Sequence, residues 1–237
     1  MPDEDFTVES LAAYLHLDAA RVARLADRGD LPGRRIGGIW RFPSAEIHHW
    51  LERKIGVSDE AALARMEGAL SRAAEAGDAP AIALVDMLPL EAVAIPLAAK
   101  TKSSVIDSMA ELAARTGWLW DPPKMAAAVR AREEMHPTAL ENGVALMHPR
   151  RPLAGILGRS FIALGRTDRG IPFGGSRGAL SDVFFLICSD EDRTHLRILA
   201  RLSRLVGQSA FLDELRAAMD AVAVLELIGR YEGGLAE

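Results

Sequence analysis

Glu141-Asn142-Gly143-Val144-Ala145-Leu146-Met147-His148-Pro149-Arg150 places an Asn-Gly turn, a short apolar run, a histidine and a proline in immediate succession. An apolar run of that length between turn residues reads as a buried strand. A rigid strand fixes the backbone beneath His148, while a ring at the strand end can remain reachable from solvent. Exchange of a phosphoryl group with another protein needs that arrangement. The same stretch also reads as a loop-edge histidine without chemistry, so its surroundings carry the argument.

Outward from this run, helix-like and strand-like segments alternate from about residue 81. Ala81 to Met87 and Val93 to Ile95 are short apolar pieces. Ser103 to Thr116 and Pro122 to Glu134 have helical character, the second with proline early, where its missing donor costs little. Phe161 to Gly165 and Val183 to Cys188 are strand candidates, the latter with the unbroken apolar character of a central strand. Thr194 to Val206 and Phe211 to Met219 close the region as helices. The pattern is α/β, with helices able to cover both faces of a sheet.

Four passages give this region a resemblance: Arg132-Glu133-Glu134; Thr138 followed by Asn142 to Leu146 and His148; Gly170-Ile171-Pro172-Phe173-Gly174; and His195-Leu196 with Leu199 to Leu202. In order and motif, the chain from about Leu84 to Tyr231 resembles the enzyme IIA domain of the fructose–mannitol type. That domain belongs to the bacterial phosphoenolpyruvate-dependent sugar phosphotransferase system, and its nitrogen-regulatory variant shares the fold. The resemblance implies a mixed sheet flanked by helices and a histidine-containing phosphocarrier protein as donor. It makes His148 the phosphorylated residue, with Arg132 and His195 near it. Imidazole is a competent nucleophile near pH 7. Phosphoryl transfer needs positioning and charge stabilisation above all, which a guanidinium from Arg132, a hydroxyl from Thr138 and the ring of His195 would supply. The chain departs from the family at Met147, where proline is usual, and at Glu141, which occupies a glycine-like turn position and adds negative charge. Arg150 and Arg151, directly after the site, favour anion binding and offset Glu141.

Composition bounds the alternatives. The chain has 237 residues, enough for one large or two modest domains, and its 26% charged residues are ordinary for a globular protein. No apolar run approaches the roughly 18 residues that span a bilayer, and the acidic start Met-Pro-Asp-Glu-Asp is unlike a signal peptide. Cytoplasmic residence without membrane insertion is the expectation. One cysteine, Cys188, rules out an internal disulfide framework and cysteine-based zinc clusters, and its apolar neighbours predict an inert thiol. His48 and His49 lack partners at metal-ligand spacing and read as surface residues; neither a metal nor a cofactor is expected.

Net charge is −5, against nonspecific wrapping of nucleic acid, yet Arg21, Arg24, Arg28, Arg34, Arg35 and Arg41 face only Asp27 and Asp30 within that stretch. Thr7 caps a predicted helix over Val8 to Leu15, and Asp18 caps a second to about Arg28, ended by Gly29. Arg21, Arg24 and Arg28 fall on one face of that second helix. Arg34 to Phe42 reads as a hairpin turning at Gly37-Gly38, and Pro43-Ser44 opens a third helix with Ile47, Trp50 and Leu51 inward. Phe6-Thr7-Val8, Arg28 to Pro32, Arg35 to Gly38 with Trp40-Arg41, and Trp50-Leu51 make this segment similar to the excisionase-type winged helix-turn-helix, a relative of the front domains of MerR-type regulators. The resemblance implies that the second helix enters the major groove of double-stranded DNA while the wing touches the adjacent backbone. A solvated basic face, or a protein-docking module, is the alternative.

The predicted organisation is a winged helix-turn-helix over 1–55, a helical linker over 56–80 and an enzyme IIA-like domain over 81–237. Leu63, Met66, Leu70 and Ala74 give the linker an apolar stripe, which a homodimer or the chain itself must cover. The leading expectation is a regulator in which phosphorylation at His148 alters DNA or partner binding. Its rivals are a phosphotransfer-inactive sensor on a DNA-binding protein, and a sugar-system phosphocarrier whose front domain only docks proteins.

Overall fold

Continuous burial along two neighbouring strands sets the architecture of the larger part of the chain. The computed structural model describes residues 5–15, 17–57, 60–75 and 82–235. The chain divides into two compact units, Met1–Ala81 and Ile82–Glu237.

In the second unit β3 (Val93–Ala94), β4 (Val144–Met147), β5 (Phe161–Pro172) and β6 (Leu180–Cys188) form a four-stranded sheet in the order β3-β5-β6-β4. The sheet is mixed: β4 runs parallel to β6 and β3 parallel to β5, while β5 and β6 are antiparallel. Ala145, Met147, Phe184, Leu186 and Cys188 join the core built with α6 (Lys102–Ala114) and α7 (Pro122–Met135). The intervening Val144, Leu146, Val183, Phe185 and Ile187 are as deeply buried. On a strand these alternate residues point to the opposite face. There α8 (Asp192–Val206) packs on β6 and joins α5 (Leu84–Met87), α9 (Ser209–Ala217) and α10 (Ala221–Gly234). Both faces are covered, which is why the central strands read as continuous apolar runs.

Several boundaries differ from the sequence expectation. Within the short apolar piece Ala81 to Met87, residues 84–87 form a single helical turn. Helix α6 starts earlier, because Thr101 caps it in a reciprocal box with Ser104. Strand β5 continues beyond Gly165 through an irregularity between Arg166 and Ile171, and Ile171 and Pro172 pair with Ser181 and Leu180.

In the first unit α1 (Val8–Leu15) and α2 (Ala19–Asp27) pack together, and β1 (Arg34–Ile36) pairs with β2 (Ile39–Arg41) as a hairpin. Asp18 caps α2 by accepting from the Ala20 amide at 2.9 Å. Gly37 and Gly38 both have positive φ, as the two-residue hairpin turn requires. The turn expected at His16-Leu17 includes His16, which lies outside the described residues. Helix α3 (Ser44–Val57) runs past residue 55, and α4 (Glu60–Glu75) packs on α1. The predicted linker helix is thus partly covered within its own unit, the intrachain alternative to dimerisation; its expected end near Gly77-Asp78 lies outside the described residues. Leu63 and Leu70 of its apolar stripe are buried. No described helix is long and apolar enough to cross a membrane.

Candidate functional site

Parallel pairing of β4 and β6 brings their carboxyl ends side by side, the pole of an α/β sheet where ligands are generally held. His148 follows β4 directly and Ser189 follows β6. His195 lies in the first turn of α8, where the helix dipole favours negative charge. The His148 and His195 rings stand 4.9 Å apart, centroid to centroid, tilted by 59°. Two residues 47 positions apart in the chain therefore form one imidazole pair.

Their Nδ1 atoms are held differently. Nδ1 of His148 lies 2.8 Å from the Leu146 carbonyl oxygen. A carbonyl only accepts, so Nδ1 carries the proton, and in the neutral ring the lone pair is on Nε2. Nδ1 of His195 lies 3.0 Å from Ser189 Oγ, a group that can donate or accept. The expectation of a solvent-reachable His148 needs correction, since the residue is 3% exposed and His195 is 4% exposed. The imidazole ends the strand as expected, but it is covered.

Arg132 and Thr138 are placed less simply. Arg132 is buried in the last turn of α7 and donates from Nη1 to the His136 carbonyl at 2.6 Å. It thereby holds the loop that leads to Thr138. The Thr138 hydroxyl, expected to face a phosphoryl group, is donated instead to the buried Glu133 carboxylate, which also accepts from the Thr138 amide at 3.1 Å. Lys102 Nζ lies 2.9 Å from the same carboxylate and donates to the Phe173 carbonyl at 3.1 Å. The Thr138 carbonyl accepts from the Leu146 amide at 3.3 Å, and Leu146 is the residue whose carbonyl orients His148. Thr138 thus acts on His148 through the backbone. In sequence, Glu133 is marked for this part only by the Arg132-Glu133-Glu134 motif, and Lys102 by no motif.

Glu141 sits at the other end of β4, accepting from Ser176 Oγ at 2.6 Å. The four residues of β4 intervene, about 13 Å of strand, so its charge is remote from His148. Arg150 and Arg151 are exposed beside the site.

On the first unit, Arg21, Arg24, Arg28, Arg34 and Arg35 are exposed and Arg41 is half-buried. Among the described residues, three of the six are engaged by acids: Arg28 with Asp30 at 3.0 Å, Arg34 with Asp5 at 3.1 Å and Arg35 with Asp27 at 2.8 Å. Arg35 also lies over the Trp40 ring at 5.0 Å. Exposed pairs of this kind contribute about 0–1 kcal/mol, so a phosphate can displace the carboxylates at little cost.

Residues 86–231 match the family described as the phosphoenolpyruvate-dependent sugar phosphotransferase system, EIIA 2. The chain belongs to that family. Residues 6–55, ahead of the EIIA domain, match the helix-turn-helix domain family. Among relatives of this EIIA chain, a nitrogen regulatory protein of Bradyrhizobium diazoefficiens is 30% identical over 149 residues, which cover 61% of this chain and 94% of the relative. The fructose-specific EIIABC component of Bacillus subtilis is 26% identical over 151 residues, 63% of this chain but 23% of that protein. The chain thus spans less than a quarter of that relative. The EIIA fold is shared with nitrogen regulatory protein IIA-Ntr from Neisseria meningitidis, at a TM-score of 0.55 and 22% identity over 61% of this chain and 97% of that one. IIA mannitol from Escherichia coli has the fold too, at a TM-score of 0.52 and 19% identity over 59% and 97% of the two chains.

Proposed function

We propose that His148 accepts a phosphoryl group on Nε2 from a histidine-containing phosphocarrier protein, and that the helix-turn-helix domain converts this state into altered binding of double-stranded DNA. The single observation that carries the reading is the Nδ1 contact of His148 with the Leu146 carbonyl, beside the ring of His195. It supports a nucleophile whose lone pair is on the far nitrogen. That lone pair attacks phosphorus as the donor's P–N bond breaks, and the departing electron pair stays on the donor's imidazole. The Nδ1 proton stays hydrogen-bonded to Leu146, while His195 and Arg132 supply donors and positive charge to the phosphoryl oxygens. The nitrogen-regulatory relative supports a signalling role over sugar uptake.

Burial of His148 favours a second reading, in which the EIIA domain no longer transfers phosphate and serves as a sensor. Incubation with labelled phosphoenolpyruvate, enzyme I and the phosphocarrier separates the two. Acid-labile label on the wild type and none on His148→Ala is the expected result; an unlabelled wild type sinks the transfer reading.

For the front domain, the exposed arginines of α2 and the hairpin support an excisionase-like mode, with α2 in the major groove and the wing on the backbone. Binding to genomic fragments should weaken steeply with salt. Arg24→Ala should lower affinity at every salt concentration, and a phosphate contact would reduce the log–log slope by about one. Salt-independent binding, or none, would favour the docking module.

A further inference from the structure

The two histidines of the candidate site have the same side chain, and only their surroundings can give them different work. We infer that Ser189 is the positioning residue that makes them unequal. Its hydroxyl donates to Nδ1 of His195, so that His195 turns an Nε2–H toward a phosphoryl group on Nε2 of His148. The inference builds on the phosphoryl-acceptor reading of His148 and assigns the partner that equips the second ring.

Ser189 is fully buried, and its Oγ is 3.0 Å from Nδ1 of His195. Its carbonyl accepts from the Leu153 amide at 3.1 Å, which ties the residue to the loop after His148. A buried hydroxyl proton left without an acceptor is destabilising. Donating that proton to the Nδ1 lone pair satisfies serine and histidine together, and a neutral ring then carries its own proton on Nε2. His148 is the mirror case: its Nδ1 meets a carbonyl that cannot donate, so its lone pair is forced onto Nε2. One ring is set as nucleophile and the other as hydrogen-bond donor, by a carbonyl against a hydroxyl at matching nitrogens.

The hydroxyl has a further consequence. If His195 gains a proton as the phosphoryl dianion arrives, Ser189 Oγ can rotate its hydrogen away and accept from Nδ1–H with no heavy atom moving. Serine therefore serves both charge states of His195, whereas a carbonyl in its place would serve only those with Nδ1 protonated. No bond is made or broken at Ser189.

The test uses the full chain labelled with 15N-histidine. Two-bond 1H–15N correlation spectra of the unphosphorylated wild type should show His195 protonated on Nε2 and His148 on Nδ1. In Ser189→Ala the His195 tautomer should become mixed and its titration midpoint should shift, with the His148 pattern unchanged. Ser189→Thr, which keeps a hydroxyl, should restore the wild-type signature. The rate of phosphoryl uptake should fall roughly 10- to 100-fold in the alanine variant, the scale of losing orientation at a reacting centre, and recover in the threonine variant. Wild-type His195 protonated on Nδ1, or an unchanged tautomer in Ser189→Ala, overturns the inference. A wild type that takes no label overturns the acceptor reading instead, while the spectra still decide the role of Ser189.

Discussion

Cys188, next to Ser189 at the end of β6, shows how position governs the chemistry of one atom. It is fully buried, and burial pushes its thiol pKa well above the ordinary range. Reaction with an alkylating reagent requires the thiolate, so the native protein should stay unmodified and label only as fast as it unfolds. Labelling faster than unfolding, timed by fluorescence, would contradict this. The linkage has a definite sign. The folded thiol holds its proton more tightly than the unfolded one, so Cys188 costs no stability below the unfolded pKa. Stability falls as pH rises past that value. Cys188→Ala should flatten this alkaline decline while lowering stability at neutral pH, both readable from urea midpoints. An inert Cys188 was legible from its apolar neighbours; the pairing of His148 with His195 came only from family resemblance. Ser189 went unread because a serine after an apolar run signals a turn or cap in sequence and reveals its ring partner only in three dimensions.

Among the elements, α5 explains why local reading falls short. Leu84–Met87 is one helical turn whose own N-cap, Ala83, has no side-chain acceptor. The acceptor comes from α10: the Glu232 carboxylate takes hydrogen bonds from the Leu84 and Val85 amides at 2.6 and 3.1 Å, and from Arg201 Nε at 2.5 Å. A short apolar sequence thus becomes helical because a residue 148 positions away satisfies its first amides. Periodicity over four residues contains no trace of that. Strand β4 is the opposite case, because Asn142-Gly143 and the apolar run after it encode its start locally. Glu232→Ala should cost about 3 kcal/mol, since it leaves buried amides and the Arg201 guanidinium without their acceptor. Glu232→Gln, retaining one oxygen, should cost less. Equal losses in urea unfolding would show that the charge, rather than the oxygen geometry, holds α10 to α5.

For the whole molecule, two matched families lie in one chain, and thermodynamics constrains how they can communicate. If phosphorylation of His148 changes DNA affinity by some factor, DNA must change the equilibrium of phosphoryl uptake from the phosphocarrier by the same factor. A change of 5- to 150-fold would correspond to about 1–3 kcal/mol of coupling. Added negative charge gives the expected direction, because it opposes a second polyanion, whereas pairing of the phosphoryl group with Arg132 and Arg150 would mute the effect. Both arms can be measured on the full chain. Fluorescence anisotropy gives DNA affinity with and without the phosphoryl group, and the ratio of labelled protein to labelled phosphocarrier at equilibrium gives uptake with and without DNA. Weaker DNA binding after phosphorylation, matched by reduced uptake on DNA, is the expected pair of results. Equal DNA affinity in both states would mean that the EIIA and helix-turn-helix domains share a chain without sharing a signal.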